Sequence, residues 1–328
     1  MKISGKELAK ICKVSIGTVD RALHDRPGIN PETRELVLQA AKKYNYRPQL
    51  AARSLRTGRT MTIGIIVFDL ENQFFSQLVN ALVRRTREDG YFLHVTLSEH
   101  DSKREAECLQ HLESLPVDGI MIVPTGTGKQ LTRLVQRLNI PTISLVNKVS
   151  DKIPFVGIDD RGAMYQAFEL LVGKGYDRVV YFSPPLSYEG KENIYAVAER
   201  FEGYKMGVEA HGMEQLVINQ KRSLDALTTL VRSGTQRTAV LCSSDIYALQ
   251  SLKYFSEAGI RVPHDVGIMG FDDISLLEYV NPPLTTVSQQ IDTIADVAFT
   301  TVKRLLEGDS SVPPVTLTEC RMIERGSV

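Results

Sequence analysis

Residues 4–26 read SGKELAKICKVSIGTVDRALHDR, two short amphipathic stretches joined by a turn too tight for anything but a pair of crossing helices. Ser4 and Glu7 make a capping box, each side chain satisfying an amide at a helix start, so a helix opens here and runs to about Ile11. Leu8 and Ile11 are expected to share its buried face. After Cys12-Lys13-Val14, Ser15 caps a second start, and the spacing of Val19 and Leu23 predicts the next buried stripe. Ile16, Gly17, Asp20, Arg21 and His24 then face outward, and Arg21 carries the planar fork suited to paired hydrogen bonds with a guanine edge in a major groove. Asn30 as cap with Pro31 at the first helical position announces a third helix, with Leu36, Ala40 and Tyr44 expected to close a miniature core.

Charge separates this head from the remainder of the chain. Residues 1–60 hold 13 Lys and Arg against 5 Asp and Glu, which leaves 26 against 34 for residues 61–328 in a chain with 39 of each. The neutral total conceals a basic helical head on an acidic body, the balance expected of a phosphate-binding module joined to a domain that stays off the duplex. Between them lies NYRPQLAARSLRTGRT (45–60), where Pro48 breaks the preceding helix and Ala51, Ala52 and Leu55 permit one short helix before Gly58. Such a helix is too short to persist alone in water. Leu55 between Arg53 and Arg56 fits an apolar wedge entering a minor groove while the cations hold phosphates; the plainer reading is a solvated linker.

KELAKICKVSIGTVDRAL (6–23) and RPGINPETRELVLQAAKKYNYRPQLAARSLRTG (26–58) strongly resemble the head and hinge of LacI/GalR-type transcriptional repressors. The resemblance continues through IGIIVFDLENQFFSQL (63–78), VDGIMIVP (117–124), ERFEGYKMG (199–207) and VPHDVGIMGFDDISLLEYVNPPLTTV (262–287), and so covers essentially the whole chain. It implies an α/β protein: a small all-α helix-turn-helix head (1–47), a hinge helix and linker (48–60), and a two-lobed, doubly wound parallel-sheet body of the periplasmic-binding-protein-like kind (61–328) that binds an effector and dimerises. The two Rossmann-like lobes are expected at roughly 61–160 plus 289–318 and 161–288 plus 319–328. Ser15, Ile16, Gly17, Thr18, Arg21, His24, Arg53, Leu55 and Arg56 are the DNA-binding candidates it implies.

The body reads as α/β without that help. Strand-like runs at 62–68, 92–97, 118–123, 141–146, 178–183, 238–242 and 266–271 alternate with helical stretches, as in parallel sheets covered on both faces. Residues 61–328 are too many for one ordinary lobe, and TIGIIVF (62–68) and DRVVYFS (177–183) each open a half. Ligands collect outside the carboxyl ends of parallel strands, so the residues just after strands are the candidates: Asp69, Asn72, Phe74 and Phe75; Asn147; Ser244 and Asp245; Asp272. Aromatic rings can stack on the apolar face of a sugar or base while amides, carboxylates and Arg200 grip hydroxyls. Read alone, Phe74 and Phe75 suit a core better than a cleft, and Asp272 beside Asp273 suits a helix cap. The resemblance favours effector binding, because NQFF, RFEG, GFDD and LTTVSQ align with effector-contacting segments of such repressors; carried over, it nominates Asn72, Phe75, Arg200, Asp272 and Gln289, with Phe74, Asn147 and Ser244 beside them, while Asp69 stays a candidate from its place after the first strand. Ser244 stands where the family commonly has asparagine, and Asn147-Lys148 where Asp-Arg is common. Ile16 and Gly17 replace longer polar residues on the reading helix, and Gly17 has no side chain with which to read a base.

Enzyme chemistry finds no footing. There is no G-x-S-x-G elbow, and GTGK at 126–129 fails the P-loop pattern because Val123 and Gln130 stand at required positions. No histidine pair has zinc-helix spacing and the cysteines at 12, 108, 242 and 320 form no C-x-x-C, so neither a metal nor another cofactor is expected. The cysteines suggest a reducing cytoplasm, and the absence of an apolar signal region or membrane-length run argues against the main rival, a secreted solute-binding protein of the same two-lobed fold. The expected protein is an effector-controlled repressor. Its partners are a double-stranded operator, a small molecule (a sugar or sugar derivative before a purine) and a second copy of itself, with no membrane. No leucine-heptad tail is expected after the last expected strand, in CRMIERGSV (320–328).

Overall fold

A computed structural model describes residues 3–23, 25–46, 58–184, 193–218, 223–233 and 236–328. The chain divides into two compact units, Met1–Thr60 and Met61–Val328. In the first, α1 (Gly5–Ile11), α2 (Ile16–Leu23) and α3 (Pro31–Lys43) follow the caps written into the sequence. Ser4 Oγ accepts from Glu7 N at 3.2 Å while Ser4 N donates to Glu7 Oε2 at 2.7 Å. Ser15 Oγ accepts from Thr18 N at 3.1 Å, and Asn30 Oδ1 from Glu32 N at 2.9 Å with Pro31 in the first turn.

The miniature core differs from the expected one by a rotation. Leu8, Ala9, Cys12, Val19, Ala22, Val37 and Ala41 fill it. Ile11 is 43% exposed, Leu36 51% and Tyr44 38%, and Ala40 is only half-buried. On α3 two apolar rows run one residue apart, about 100° around the helix, and close packing against α2 selects the row carrying Val37 and the small Ala41. Leu23 packs at the edge of this core, where Ala22 takes the central place.

The second unit holds two parallel sheets and a small antiparallel ribbon. Its elements in chain order are β1 (Thr62–Val67), α4 (Gln73–Glu88), β2 (Phe92–Leu97), α5 (Ser102–Ser114), β3 (Gly119–Ile122), α6 (Gly128–Arg137), β4 (Thr142–Leu145) and β5 (Phe155–Ile158). Then come α7 (Asp160–Gly173), β6 (Arg178–Phe182), α8 (Tyr195–His211), β7 (Leu216–Ile218), α9 (Ser223–Ser233), β8 (Thr238–Cys242), α10 (Asp245–Glu257) and β9 (Gly267–Met269). A 3-10 turn (Ser275–Glu278), β10 (Thr286–Ser288), α11 (Ile291–Leu306), β11 (Val315–Thr318) and β12 (Arg321–Ile323) complete it. The first sheet has the order β11-β5-β4-β3-β1-β2 and the second β7-β6-β8-β9, all parallel.

The expected strand runs all form, and the structure adds β5, β7, β10 and β11. Inner strands are almost wholly buried, as helices on both faces of a parallel sheet require, whereas the edge strands β2 and β11 carry only half-buried and exposed residues. The chain returns to the first lobe late: α11 packs on α4 and β11 pairs with β5. Its last residues join the second lobe, where Ile268 N donates to Ser327 O at 2.8 Å.

Candidate functional site

The head offers α2. Ile16 is 46% exposed at its start, and the Ser15 and Thr18 hydroxyls bond each other at 2.9 Å. Arg21 is exposed and folds back along its own helix, its Nε donating to Gly17 O at 3.2 Å and Nη1 to Gly28 O at 3.4 Å. His24, Arg53, Leu55 and Arg56, and the hinge helix expected around them, lie outside the described residues.

In the body, the carboxyl ends of both sheets converge on a cavity of about 290 Å³. Eight nominated residues line it: Asn72, Phe74, Phe75, Asn147, Arg200, Ser244, Asp272 and Gln289. Asp69 does not. Its Oδ1 accepts from Asn72 N at 2.9 Å and its Oδ2 bonds His100 Nε2 at 3.0 Å, so it braces the wall that His100 lines. Phe75 meets Phe68 and Phe74 edge-on at 5.2 and 5.3 Å between ring centroids, an apolar corner beside the polar groups.

Arg200 organises the polar wall. From the first half of α8 its Nε donates to Asp160 Oδ1 at 2.7 Å and its Nη1 to Ser243 O at 2.7 Å and Asp272 Oδ1 at 3.4 Å, with Phe271 under the guanidinium at 3.8 Å. Gln289 Nε2 donates to the same Asp272 oxygen at 2.7 Å. Two glycines of the same helix make this reach possible. A Cβ on Gly203 would stand 2.2 Å from Arg161 O and one on Gly207 2.4 Å from the Phe168 ring, so only their absence lets α7 approach with Asp160. Burial pushes Asp160 up to about 6 against the pull of Arg200, and it pushes Asp272 up as well. Asp245 is raised by the same burial; its oxygens accept from Thr286 Oγ1 at 2.7 Å and Ile274 N at 2.9 Å.

Backbone strain collects here. Asp272 has φ +126° and Val146 has φ +64°, the latter within a three-residue turn in which Asn147 N donates to Leu145 O at 2.6 Å. Such conformations cost about 1–3 kcal/mol each and persist where the surroundings over-determine them. For Asp272 the hydrogen bond from its N to Val287 O at 2.8 Å does so.

Asn147 spends its amide on the other lobe. Its Nδ2 donates to Asn193 O at 3.2 Å and its Oδ1 accepts from Ala196 N at 3.0 Å. Asn193 answers: its N donates to Thr125 O at 2.7 Å and its Nδ2 to Lys148 O at 3.0 Å and Gly126 O at 3.4 Å. These bonds clasp the lobes across one side of the cavity. Both Thr125 and Gly126 hang from buried Glu105, whose oxygens accept their backbone N–H groups at 2.6 and 2.9 Å. Sequence reasoning missed Asn193, Thr125, Ser243, Tyr247 and His100 on the wall, and Asp160 and Glu105 behind it. Asp160 follows a strand, β5, that the sequence reading did not find, and Asn193 carries no periodic signal at all. Ser243, adjacent to Ser244, was within reach.

Comparison with known proteins agrees with this arrangement. The profile of bacterial regulatory proteins, lacI family, matches residues 6–49, and that of a periplasmic binding protein-like domain matches residues 168–328. The ribose operon repressor of Halalkalibacterium halodurans is 30% identical, over 87% of this chain and 85% of its own length. The chain belongs to the lacI family of bacterial regulatory proteins. The HTH-type transcriptional regulator RegA of Clostridium saccharobutylicum is 29% identical over 100% of this chain and 99% of its own. A crystal structure of the lac repressor dimer bound to operator and an anti-inducer shares the fold, with a TM-score of 0.82, 21% identity, and coverage of 100% of this chain and 99% of that one. As a lacI-family member the protein is a DNA-binding transcriptional regulator, and its relatives are regulators rather than enzymes. Among the described residues no helix is long and apolar enough to cross a membrane, and no cluster of metal-ligating side chains occurs.

Proposed function

We propose that this regulator is a repressor whose operator affinity is set by a small, sugar-like molecule bound between the lobes. The observation that carries this reading is the Arg200–Asp272–Gln289 constellation, which is buried, directed and strained at the carboxyl ends of both sheets, in a chain whose basic head bears a helix-turn-helix. Residues 1–47 are the DNA-binding domain, 48–60 the hinge, and 61–328 the effector-binding and dimerisation domain. On α2 the reading group is Arg21, with Ser15, Ile16, Gly17 and Thr18 against the backbone. The working form is a homodimer on a roughly palindromic operator in the cytoplasm, because one head makes few base contacts and two supply the affinity. The exposed apolar residues of edge strand β2, Phe92, Val95 and Leu97, support self-association.

The test uses a duplex that the protein itself selects from a random pool. Its gel shift is measured against a panel of sugars and nucleosides for both the native protein and Asp272→Ala. The reading requires that at least one compound change operator affinity of the native protein, and that Asp272→Ala keep basal DNA binding while losing that response. A response that survives in the variant moves the effector elsewhere.

A further inference from the structure

Three successive carbonyls face the clasp from the first lobe. Pro124 O accepts from Asn147 Nδ2 at 3.5 Å, Thr125 O from Asn193 N at 2.7 Å and Gly126 O from Asn193 Nδ2 at 3.4 Å. The N–H groups on the other side of this short loop are held by one side chain. Glu105, 1% exposed on α5, takes Thr125 N on Oε1 at 2.6 Å and Gly126 N on Oε2 at 2.9 Å. A trans peptide unit is rigid, and its C=O and N–H point opposite ways. The bond that fixes Gly126 N–H therefore aims Thr125 O at Asn193, and the bond that fixes Thr125 N–H aims Pro124 O at Asn147. Glycine at 126 permits this grip, because a Cβ there would stand 2.7 Å from Glu105 Oε2 and displace the carboxylate.

Two demands on Glu105 oppose each other. One N–H donor to each oxygen suits the carboxylate, which only accepts, whereas burial favours the neutral acid. A proton taken from solvent makes one oxygen a poorer acceptor and adds an O–H that needs an acceptor of its own. Among the described residues Glu105 bonds the two amides alone, so at least one of them then loses its charge-assisted bond. No cation decides the contest for the carboxylate. Of the elements packed on α5, β1 has no titratable side chain, β2 brings His94, and α6 brings Lys129, Arg133 and Arg137, none of which pairs with Glu105. On α5 itself the Cys108 thiol feels the Glu105 charge, but burial pushes that thiol up and it stays neutral. Burial likewise pushes Glu105 up to about 7. That burial is supplied by its own lobe and survives opening of the cleft, while the two bonds that favour the carboxylate are lost when the loop is released.

We propose that Glu105 is a proton-operated latch on the interlobe clasp: as the carboxylate it sets the 124–126 loop for Asn193 and holds the cleft closed, and on taking up a proton it frees the loop and lets the cleft open. It is a positioning residue, set behind the cavity wall and acting through Thr125 and Gly126. The clasp is slackest below about 7, where Glu105 is neutral whether the loop is held or not, and it tightens as pH rises past that level. By linkage, whatever closes the cleft expels a proton from Glu105. The consequence for effector affinity rests on the reading of the cleft as the effector site; the opening itself does not.

Amide hydrogen exchange on the ligand-free, full-length protein reads the latch directly, since the N–H groups of Thr125, Gly126, Asn193 and Ala196 are those that the loop and the clasp protect. After correction for the intrinsic pH dependence of exchange, their protection should be about tenfold greater at about pH 9 than at about pH 6. Glu105→Gln keeps one acceptor but turns N–H groups on the other amide, so its protection should be low at both and show no rise. Gly126→Ala, which displaces the carboxylate from the loop side, should be equally flat. Asp160, Asp245 and Asp272 across the cleft are also raised by burial, and the difference between native protein and variants removes their contribution. A flat native profile overturns the latch, and so does a rise that either variant retains. The effector reading fails separately: it falls when compounds that bind the cleft leave operator affinity unchanged, whatever the exchange rates show.

Discussion

Glu105 is a residue through which pH reaches the stability of this body. It accepts two backbone N–H groups with no cation at hand, and burial outweighs those bonds, pushing it up to about 7. Between its ordinary value near 4.5 and that level the folded state keeps a proton that the unfolded chain gives up. Its contribution to stability is therefore greatest below about 4.5 and falls as pH rises toward 7, by about 3 kcal/mol in all. Glu105→Gln removes that dependence, so its unfolding free energy should gain on the native protein's by a similar amount between pH 4.5 and 7.5 in paired urea titrations; parallel curves would mean that Glu105 does not titrate in this range. Arg21 is tested on DNA. Arg21→Ala should cost about 1–3 kcal/mol on a selected operator and flatten discrimination at one base pair, whereas an equal loss on random duplexes would make it a phosphate contact. Of the residues named from sequence, most of those placed just after an expected strand reached the cavity wall, because strand ends are readable. Asp69 lies behind it because a residue directly after a strand can brace the turn as readily as face the ligand. Ser243 was overlooked although the run of two serines after β8 already pointed to the strand end.

Among the elements, α8 carries the longest chain of consequence. Its face with Arg200, Gly203 and Gly207 is what lets α7 pack close enough for Asp160 to reach the guanidinium. At Gly203 the obstacle to a side chain is a backbone carbonyl, which cannot swing aside as a flexible side chain would. Gly203→Ala should lower the stability of the body by about 1–3 kcal/mol through forced separation of α7 and α8, and weaken ligand binding further because the Arg200–Asp160 bond lengthens. Thermal unfolding with and without ligand separates the two effects, and an Ala variant as stable as the native protein would refute the close-packing argument. The elements that sequence missed have a common cause. The strands β7 and β10 span three residues and β5 and β11 four, and they exist through pairing with strands distant in the chain. The caps of α1 and α3 depend on residues three or fewer apart, so they were readable. The core face of α3 was not, because both of its apolar rows satisfy the helical period and only packing against α2 chooses between them.

For the whole molecule the question is how a cleft can influence a head that it does not contain. The lobes of the body are held together on one side by the Asn147–Asn193 clasp and on another by Leu276 N donating to Gln73 Oε1 at 3.2 Å. A ligand that fills the cleft favours the clasped arrangement, and any difference in hinge geometry between clasped and open forms becomes a difference in operator affinity. Asparagine suits position 147 in a way that aspartate does not, since it must both donate to Asn193 O and accept from Ala196 N. Asn193→Ala deletes the bonds to Lys148 O and Gly126 O while leaving the backbone bond from residue 193 to Thr125 O, so the clasp weakens without vanishing. Each lost bond is worth about 0.5–1.5 kcal/mol, which favours the open form by roughly 5- to 150-fold in all. Linkage then fixes two outcomes together: the variant should bind ligand more weakly, and the part of operator affinity that ligand controls should move toward its ligand-free value. Small-angle scattering of the native protein and the variant, each with and without ligand, reads the opening, and gel shifts on the selected duplex read the coupling. A variant that opens while its operator response to ligand stays intact would separate cleft closure from DNA control, and the connection would then have to run through some element other than the clasp.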